Sequence, residues 1–255
     1  MRSRWASGEE SVKRSSFLRL DGHVVCSCFR YILRGKRQKT RVHVQESRVQ
    51  VLFVHGMGRS PLSGGVLLWK LRRAGLTTRT FGYSVSFEDF PRIRDRLVAA
   101  ISRLAATGDY VLVGHSLGGV LLRAAINALP AGTRLPRQLF LLGSPVGPSR
   151  LAQRFGTHRL FRLVTRDCGR LLASTSRMAA IGAVTVPTIC IAGISGFSGA
   201  RSYFPGELND GIVSLSEVKA DWAVEHVEVP VFHTLMPSSP RVAELVLHRI
   251  HKTGA

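Results

Sequence analysis

Tyr110-Val111-Leu112-Val113-Gly114-His115-Ser116-Leu117-Gly118-Gly119-Val120-Leu121-Leu122-Arg123-Ala124-Ala125 decides how this chain folds. The apolar run Tyr110 to Val113 reads as a buried strand, and the segment from Gly119 onward reads as a helix. Between them Gly114-x-Ser116-x-Gly118 must reverse the chain in a few residues. The two glycines lack a Cβ, so strand and helix can approach closely on either side. Ser116 then sits in strained backbone at the tip, with its hydroxyl pushed out above the sheet. The Leu117 amide opens the helix, where N–H groups lack intrahelical partners and the dipole favours negative charge. A serine hydroxyl is a poor nucleophile until it is exposed, given a base and faced by donors to an oxyanion. This turn supplies the exposure and one donor. The alternative is an idle serine in a glycine-rich turn, and a strand before with a helix after favours the nucleophile.

Working outward, strand and helix alternate from Val49, the pattern of a parallel sheet covered on both faces. Val51–Val54 reads as a strand, followed by a helix around Gly64–Ala74 that Gly75 stops. Thr77–Tyr83 reads as the next strand. Apolar spacing at Ile93, Leu97, Ile101 and Leu104 predicts a helix starting after Pro91. Gln138–Gly143 and Thr188–Gly193 read as strands, as does Val224–Val229, and Pro240 opens a last helix. Residues 147–186 interrupt this rhythm with arginines interleaved with Leu151, Phe155, Leu160, Phe161, Leu163 and Val164. This insert reads either as a helix packed on the sheet or as a small lid over the cleft. Residues 1–47 read as a basic accessory arm, partly disordered, with weak strand alternation at Arg41–Gln45.

With 255 residues the chain can bury one substantial core. No apolar run reaches the length of a membrane helix. The N-terminal basic residues are followed by too short an apolar stretch, Val24–Phe29, for a secretory signal. The cytoplasm is therefore the default location, with peripheral membrane association as the other possibility. Cys26, Cys28, Cys168 and Cys190 read as free thiols, with no metal constellation among them. The formal net charge is +20. Twelve basic and four acidic side chains fall in residues 1–48, so the excess extends over the whole chain. Such a surface attracts anionic lipid or nucleic acid non-specifically. No nucleic-acid motif accompanies the charge, so no specific nucleic-acid partner is expected and a solvated basic exterior is the simpler reading.

Five ordered segments carry a resemblance. They are Val54-His55-Gly56-Met57-Gly58, the Gly114–Gly118 turn, Gly143-Ser144-Pro145, Asn209-Asp210-Gly211-Ile212-Val213 and His233-Thr234. On them, residues 49–252 resemble the α/β-hydrolase superfamily, and within it the small bacterial serine esterases and lipases, including the lipase and inositol-deacylase-like branch. The resemblance implies a mostly parallel central sheet with helices on both faces and a small cap insert. It also implies the chain order nucleophile, acid, histidine.

Five histidines follow Ser116. His233 lies beyond a strand end, where the resemblance puts the base. His226 falls inside a strand pattern, and His248 and His251 fall on a basic terminal helix. Asp167, Asp210 and Asp221 are the candidate acids. Asp210, in the turn Asn209-Asp210-Gly211, matches the acid loop of many lipases. The resemblance makes the Met57 amide the second oxyanion donor, with Gly56 shaping its turn and His55 packing beside the elbow. Ser144 lacks the following x-Gly turn and reads as a loop residue lining the cleft.

These readings imply a domain over residues 48–255 that cleaves carboxylic esters of lipids or short acyl groups. Ser116, His233 and Asp210 would act through an acyl-enzyme, and no cofactor is implied. A thioesterase or acyltransferase on the same residues is one alternative. The other is a basic, non-catalytic binding protein that keeps the fold.

Overall fold

The computed structural model describes residues 49–197, 199 and 202–252. The N-terminal arm, its weak strand, Cys26 and Cys28 lie outside the described residues.

Alternation along the strands divides the core into two faces. In β1 (Gln50–Val54), Val51 and Phe53 pack to one side and Leu52 and Val54 to the other. β2 (Thr77–Phe81), β3 (Tyr110–His115), β4 (Gln138–Leu142), β5 (Thr188–Gly193) and β6 (Glu225–Val229) complete a sheet in the order β2-β1-β3-β4-β5-β6. Every neighbouring pair is parallel. Strands buried on both faces need apolar residues at every position, which is why β1, β3, β4 and β5 are apolar runs.

α1 (Gly65–Arg73) and α8 (Pro240–Lys252) share the face of Val51 and Phe53. α2 (Phe90–Thr107) and α3 (Leu117–Asn127) cover the other face. Ile93, Leu97 and Ile101 of α2 are fully buried there, each contributing about 1.5–3 kcal/mol. Asp89 caps that helix by accepting from the Arg92 amide. Between β4 and β5 run three helices, α4 (Arg150–Phe155), α5 (Arg159–Ala173) and α6 (Thr175–Ile181). Their inner residues Ala152, Cys168, Leu171, Leu172, Met178 and Ile181 join the core beneath α2 and α3. α7 (Leu215–Val218) is a single turn before β6.

The chain turns from β1 to β2 on one side and from β3 to β4 on the other. Loops leaving the carboxyl ends of β1 and β3 therefore diverge, and a crevice opens between them. Val54 pairs with Gly114 at that point, so the His55–Arg59 loop and Ser116 emerge side by side.

Arg123 on α3 fastens both ends of the helical insert. It is almost fully buried, donates to the Val146 carbonyl at 2.9 Å and the Gly182 carbonyl at 2.6 Å, and stacks over Trp222. Burial lowers its guanidinium to about 10, so it remains charged at neutral pH. Arg123→Met keeps the stem and leaves two carbonyls without their charged donor. A loss of roughly 3 kcal/mol is expected. That corresponds to a Tm lower by about 6–12 °C in a calorimetric scan.

Candidate active site

The turn after β3 has the geometry that its glycines require. Ser116 adopts φ 53°, ψ −124°, a region that residues with a side chain rarely occupy. Its amide donates to the Leu142 carbonyl at 2.9 Å, which ties the turn to β4. A Cβ at Gly114 would lie 2.5 Å from the Gly119 backbone, and one at Gly118 would lie 2.2 Å from the Val54 carbonyl oxygen. Any side chain at either position would push the helix off the sheet. Ser116 is half-buried, and its hydroxyl makes no hydrogen bond among the described residues.

Asp210 and His233 meet across 23 residues, with Nδ1 of the ring 2.6 Å from Oδ2 of the carboxylate. The other oxygen, Oδ1, accepts from the amides of Ile212 at 2.9 Å and Val213 at 2.7 Å. The His233 amide donates to the Asp210 carbonyl at 2.9 Å, so backbone and side chain fix one relation between the two residues. Both are nearly fully buried. Gly143, at φ 53°, lies beneath them; a Cβ there would stand 2.9 Å from Asp210 Oδ2 and 3.0 Å from His233 Nδ1. No hydrogen bond joins Ser116 Oγ to the His233 ring among the described residues. Such contacts commonly tighten only when substrate binds.

His115, the residue before the serine, spans the gap between them. Its ring is 4.8 Å from that of His233, and its Nε2–H donates to the His233 carbonyl at 2.9 Å. Burial, then the neighbouring His233, hold its pKa well below the ordinary histidine value, so it stays neutral. Gly56 packs against this pair, for a Cβ there would lie 3.0 Å from His115 Nδ1 and 3.1 Å from Ser116 Cβ.

The amides of Met57 and Leu117 donate to no protein acceptor among the described residues. Met57 lies on the loop after β1 and Leu117 opens α3 after β3, where the two chain segments diverge at the crevice. His55 stacks on Tyr83 at 4.3 Å, and its carbonyl accepts from the Tyr83 hydroxyl at 2.8 Å. Its Nδ1–H donates to the Gly56 carbonyl at 2.9 Å, and burial lowers its pKa. Beside this loop lies a cavity of about 360 Å³ lined by Met57, Arg59, Tyr83, Val85, Val164 and Thr165 among others. A larger recess of about 610 Å³ between β2 and α2 contains none of these groups.

The rival residues lie away from the His233 ring. Asp167 pairs with Arg177 at 2.9 Å and accepts from the Phe90 amide. Asp221 is exposed. His226 accepts from the Ala220 amide at 3.0 Å. Ser144 differs from the expectation that it lines the cleft. It is fully buried behind the elbow, and a Cβ at Gly119 would lie 2.1 Å from its Oγ. The close approach of α3 to β4 encloses it.

Sequence reasoning missed the scaffold of the Asp210 loop. Asn209 donates to the Phe197 and Glu207 carbonyls and accepts from the Gly211 amide, closing an Asx turn around Asp210. Ser214 and Glu217 form a capping box at the start of α7, and Glu217 also accepts from the Arg150 amide at 2.8 Å. The pattern Ser214-x-x-Glu217 is legible in the sequence and would have located it. Glu207 accepts from the Ser216 amide at 2.7 Å and pairs with Arg150 at 2.5 Å. Burial alone would raise the Glu207 carboxyl, yet hydrogen bonds from Ser216 and Arg150 outweigh it and hold it at about 2 against an ordinary 4.5. A carboxyl depressed in the fold stabilises above its unfolded value, and that contribution disappears as pH falls through the folded one. Tm is therefore expected to fall more steeply for wild type than for Glu207→Gln between about pH 4.5 and about pH 2.

Comparison with known proteins follows the same outline. The sequence profile of the alpha/beta hydrolase family matches residues 51–248. No curated protein matches the chain in sequence. Among solved structures, the RedJ thioesterase of the prodiginine biosynthetic pathway in Streptomyces coelicolor is 14% identical with a TM-score of 0.52, over 80% of this chain and 90% of its own. An extracellular alpha/beta-hydrolase from a Paenibacillus species is 13% identical with a TM-score of 0.54, over 78% of this chain and 98% of its own. A thermophilic esterase from Thermogutta terrifontis is 16% identical with a TM-score of 0.50, over 81% of this chain and 91% of its own. At such identities the likeness is one of fold.

Proposed function

Because the chain belongs to the alpha/beta hydrolase family, we propose that it hydrolyses carboxylic esters of lipids or short acyl groups through an acyl-enzyme on Ser116. The observation that carries this reading is the buried Asp210–His233 hydrogen bond of 2.6 Å, located in the same crevice as a serine at φ 53°. Asp210 accepts a hydrogen bond from Nδ1–H, which holds that proton on Nδ1 and leaves Nε2 of His233 as the lone-pair base. That nitrogen takes the Ser116 proton as Oγ attacks the ester carbonyl. The amides of Met57 and Leu117 receive the oxyanion of the tetrahedral intermediate. His233 then returns the proton to the leaving alcohol, and a water activated by the same ring releases the acid. The chemistry needs no cofactor.

The lining of the 360 Å³ cavity supports an acyl-side pocket, because Met57, Val85 and Val164 offer apolar contact beside the loop that carries the Met57 amide. The serine esterase and lipase branch is the part of the family that this arrangement suits best.

The test uses a serine-directed fluorophosphonate together with p-nitrophenyl esters of increasing acyl length and matched thioesters. Wild type is expected to label and to turn over esters faster than thioesters. A folded protein that neither labels nor cleaves any ester would leave the binding-protein alternative in its place. Faster thioester turnover would move the assignment to a thioesterase.

A further inference from the structure

The outward face of α5 carries a chemistry that ester hydrolysis does not use. Within residues 147–186 there are seven arginines and a single acidic residue, Asp167. Asp167 is held by Arg177, and Arg150 is held by Glu207. Arg159, Arg162, Arg166 and Arg170 recur at helical spacing, are exposed, and form no ion pair with a carboxylate among the described residues. Together they surround Leu163 in a recess of about 340 Å³. Arg166 donates to the Ser86 carbonyl and stands at a break in the helix, at φ 45°.

The same face exposes apolar side chains that a soluble helix would turn inward. Leu160 is 73% and Leu163 is 72% exposed. They have no route into the core, because Thr165, Cys168, Gly169, Leu171 and Leu172 already occupy the inward side. Arginines without a carboxylate partner and outward leucines thus share one patch, which borders the cavity through Val164.

We propose that this patch docks on the anionic headgroup surface of a lipid bilayer, with the arginines on headgroup phosphates and Leu160 and Leu163 among the acyl chains. A soluble phosphate or a nucleic-acid backbone would satisfy the arginines and leave both leucines in water. A bilayer interface answers both demands, since it offers negative charge above and hydrocarbon a few ångströms below. The net charge of +20 adds long-range attraction toward the same surface. This inference goes beyond the ester reading and holds whichever acyl compound Ser116 cleaves.

The test is co-sedimentation of the full chain with phosphatidylcholine vesicles, with and without phosphatidylglycerol. Wild type is expected to bind the anionic vesicles only. R159Q/R162Q/R170Q should weaken binding by about fivefold per arginine, on the order of a hundredfold together. L160S/L163S should weaken it at unchanged charge. R72Q/R79Q/R103Q removes the same charge from exposed arginines elsewhere and should lose far less. All three variants should keep wild-type turnover of a soluble ester and wild-type Tm, which shows that they fold. Equal losses in the α5 and control triple variants, or wild-type binding by L160S/L163S, would overturn the proposal. So would α5-dependent retention on duplex DNA with vesicle binding intact.

Discussion

Ser116→Ala is expected to lower kcat toward carboxylic esters by on the order of 10³ or more. Labelling by a fluorophosphonate should disappear with it. The size of the effect follows from the proposed mechanism, in which Oγ is the first acceptor of the acyl group. Ser144 cannot take its place, because it is enclosed behind the elbow. The proposed oxyanion donors, the Met57 and Leu117 amides, stay intact in the variant and would account for any residual rate. Stability should barely change. The hydroxyl makes no hydrogen bond among the described residues, and alanine meets the same φ of 53° as serine. Tm is therefore expected within about 2 °C of wild type, the shift that roughly 0.5 kcal/mol produces in a domain of this size. His233→Ala should cost a similar factor in kcat. The double variant should lose no more than either single one, because nucleophile and base act as a unit. Two independent losses that multiply would separate Ser116 from His233 and defeat the proposed mechanism.

Much of the fold was legible because its signals are local. Gly-x-Ser-x-Gly between an apolar run and a helix can be built in few ways, and the observed β3, Ser116 and α3 follow it. Apolar spacing at Ile93, Leu97, Ile101 and Leu104 gave α2, and all four are buried. Interruption of the alternation over 147–186 is visible in the sequence, but its division into α4, α5 and α6 is not: Ser149 and Ser174 cap α4 and α6, and Arg166 breaks α5 internally at φ 45°. The site was less legible, because its groups come from distant parts of the chain. Three aspartates fitted the chain order, and only packing shows that Asp210 alone of them meets His233. Nothing local marks His115 as the strut under the His233 carbonyl. Gly143 ended a strand pattern, and its positive φ beneath the Asp210–His233 pair emerges only when β4 and the later loops are side by side. Ser144 was misjudged for the same reason, since its enclosure depends on how closely α3 approaches β4.

Asp210→Asn tests the remaining group, and kcat is expected to fall on the order of 10²–10⁴ with KM little changed. Both oxygens of the wild-type carboxylate are engaged, Oδ1 by the Ile212 and Val213 amides and Oδ2 by the His233 ring. An asparagine can keep its oxygen on the two amides, and must then point its NH₂ at Nδ1. An amide donor facing Nδ1 stabilises the imidazole with its proton on Nε2. That tautomer presents an N–H to Ser116 and cannot accept its proton, so the base is lost while the cleft keeps its shape. The variant should therefore still bind substrate, and should still fold, because the His233 amide continues to donate to the residue 210 carbonyl. Gly143→Ala approaches the same pair from below, since its Cβ would lie within about 3 Å of both partners; it should cost rate by displacing them and stability by straining the backbone at φ 53°. Near-wild-type turnover by Asp210→Asn would mean that another group orients the ring. Asp167 is committed to Arg177, and Asp221 is exposed, so neither could move in without rebuilding the loop. That outcome would leave the 2.6 Å contact a structural one and require a different partner to hold the tautomer of His233.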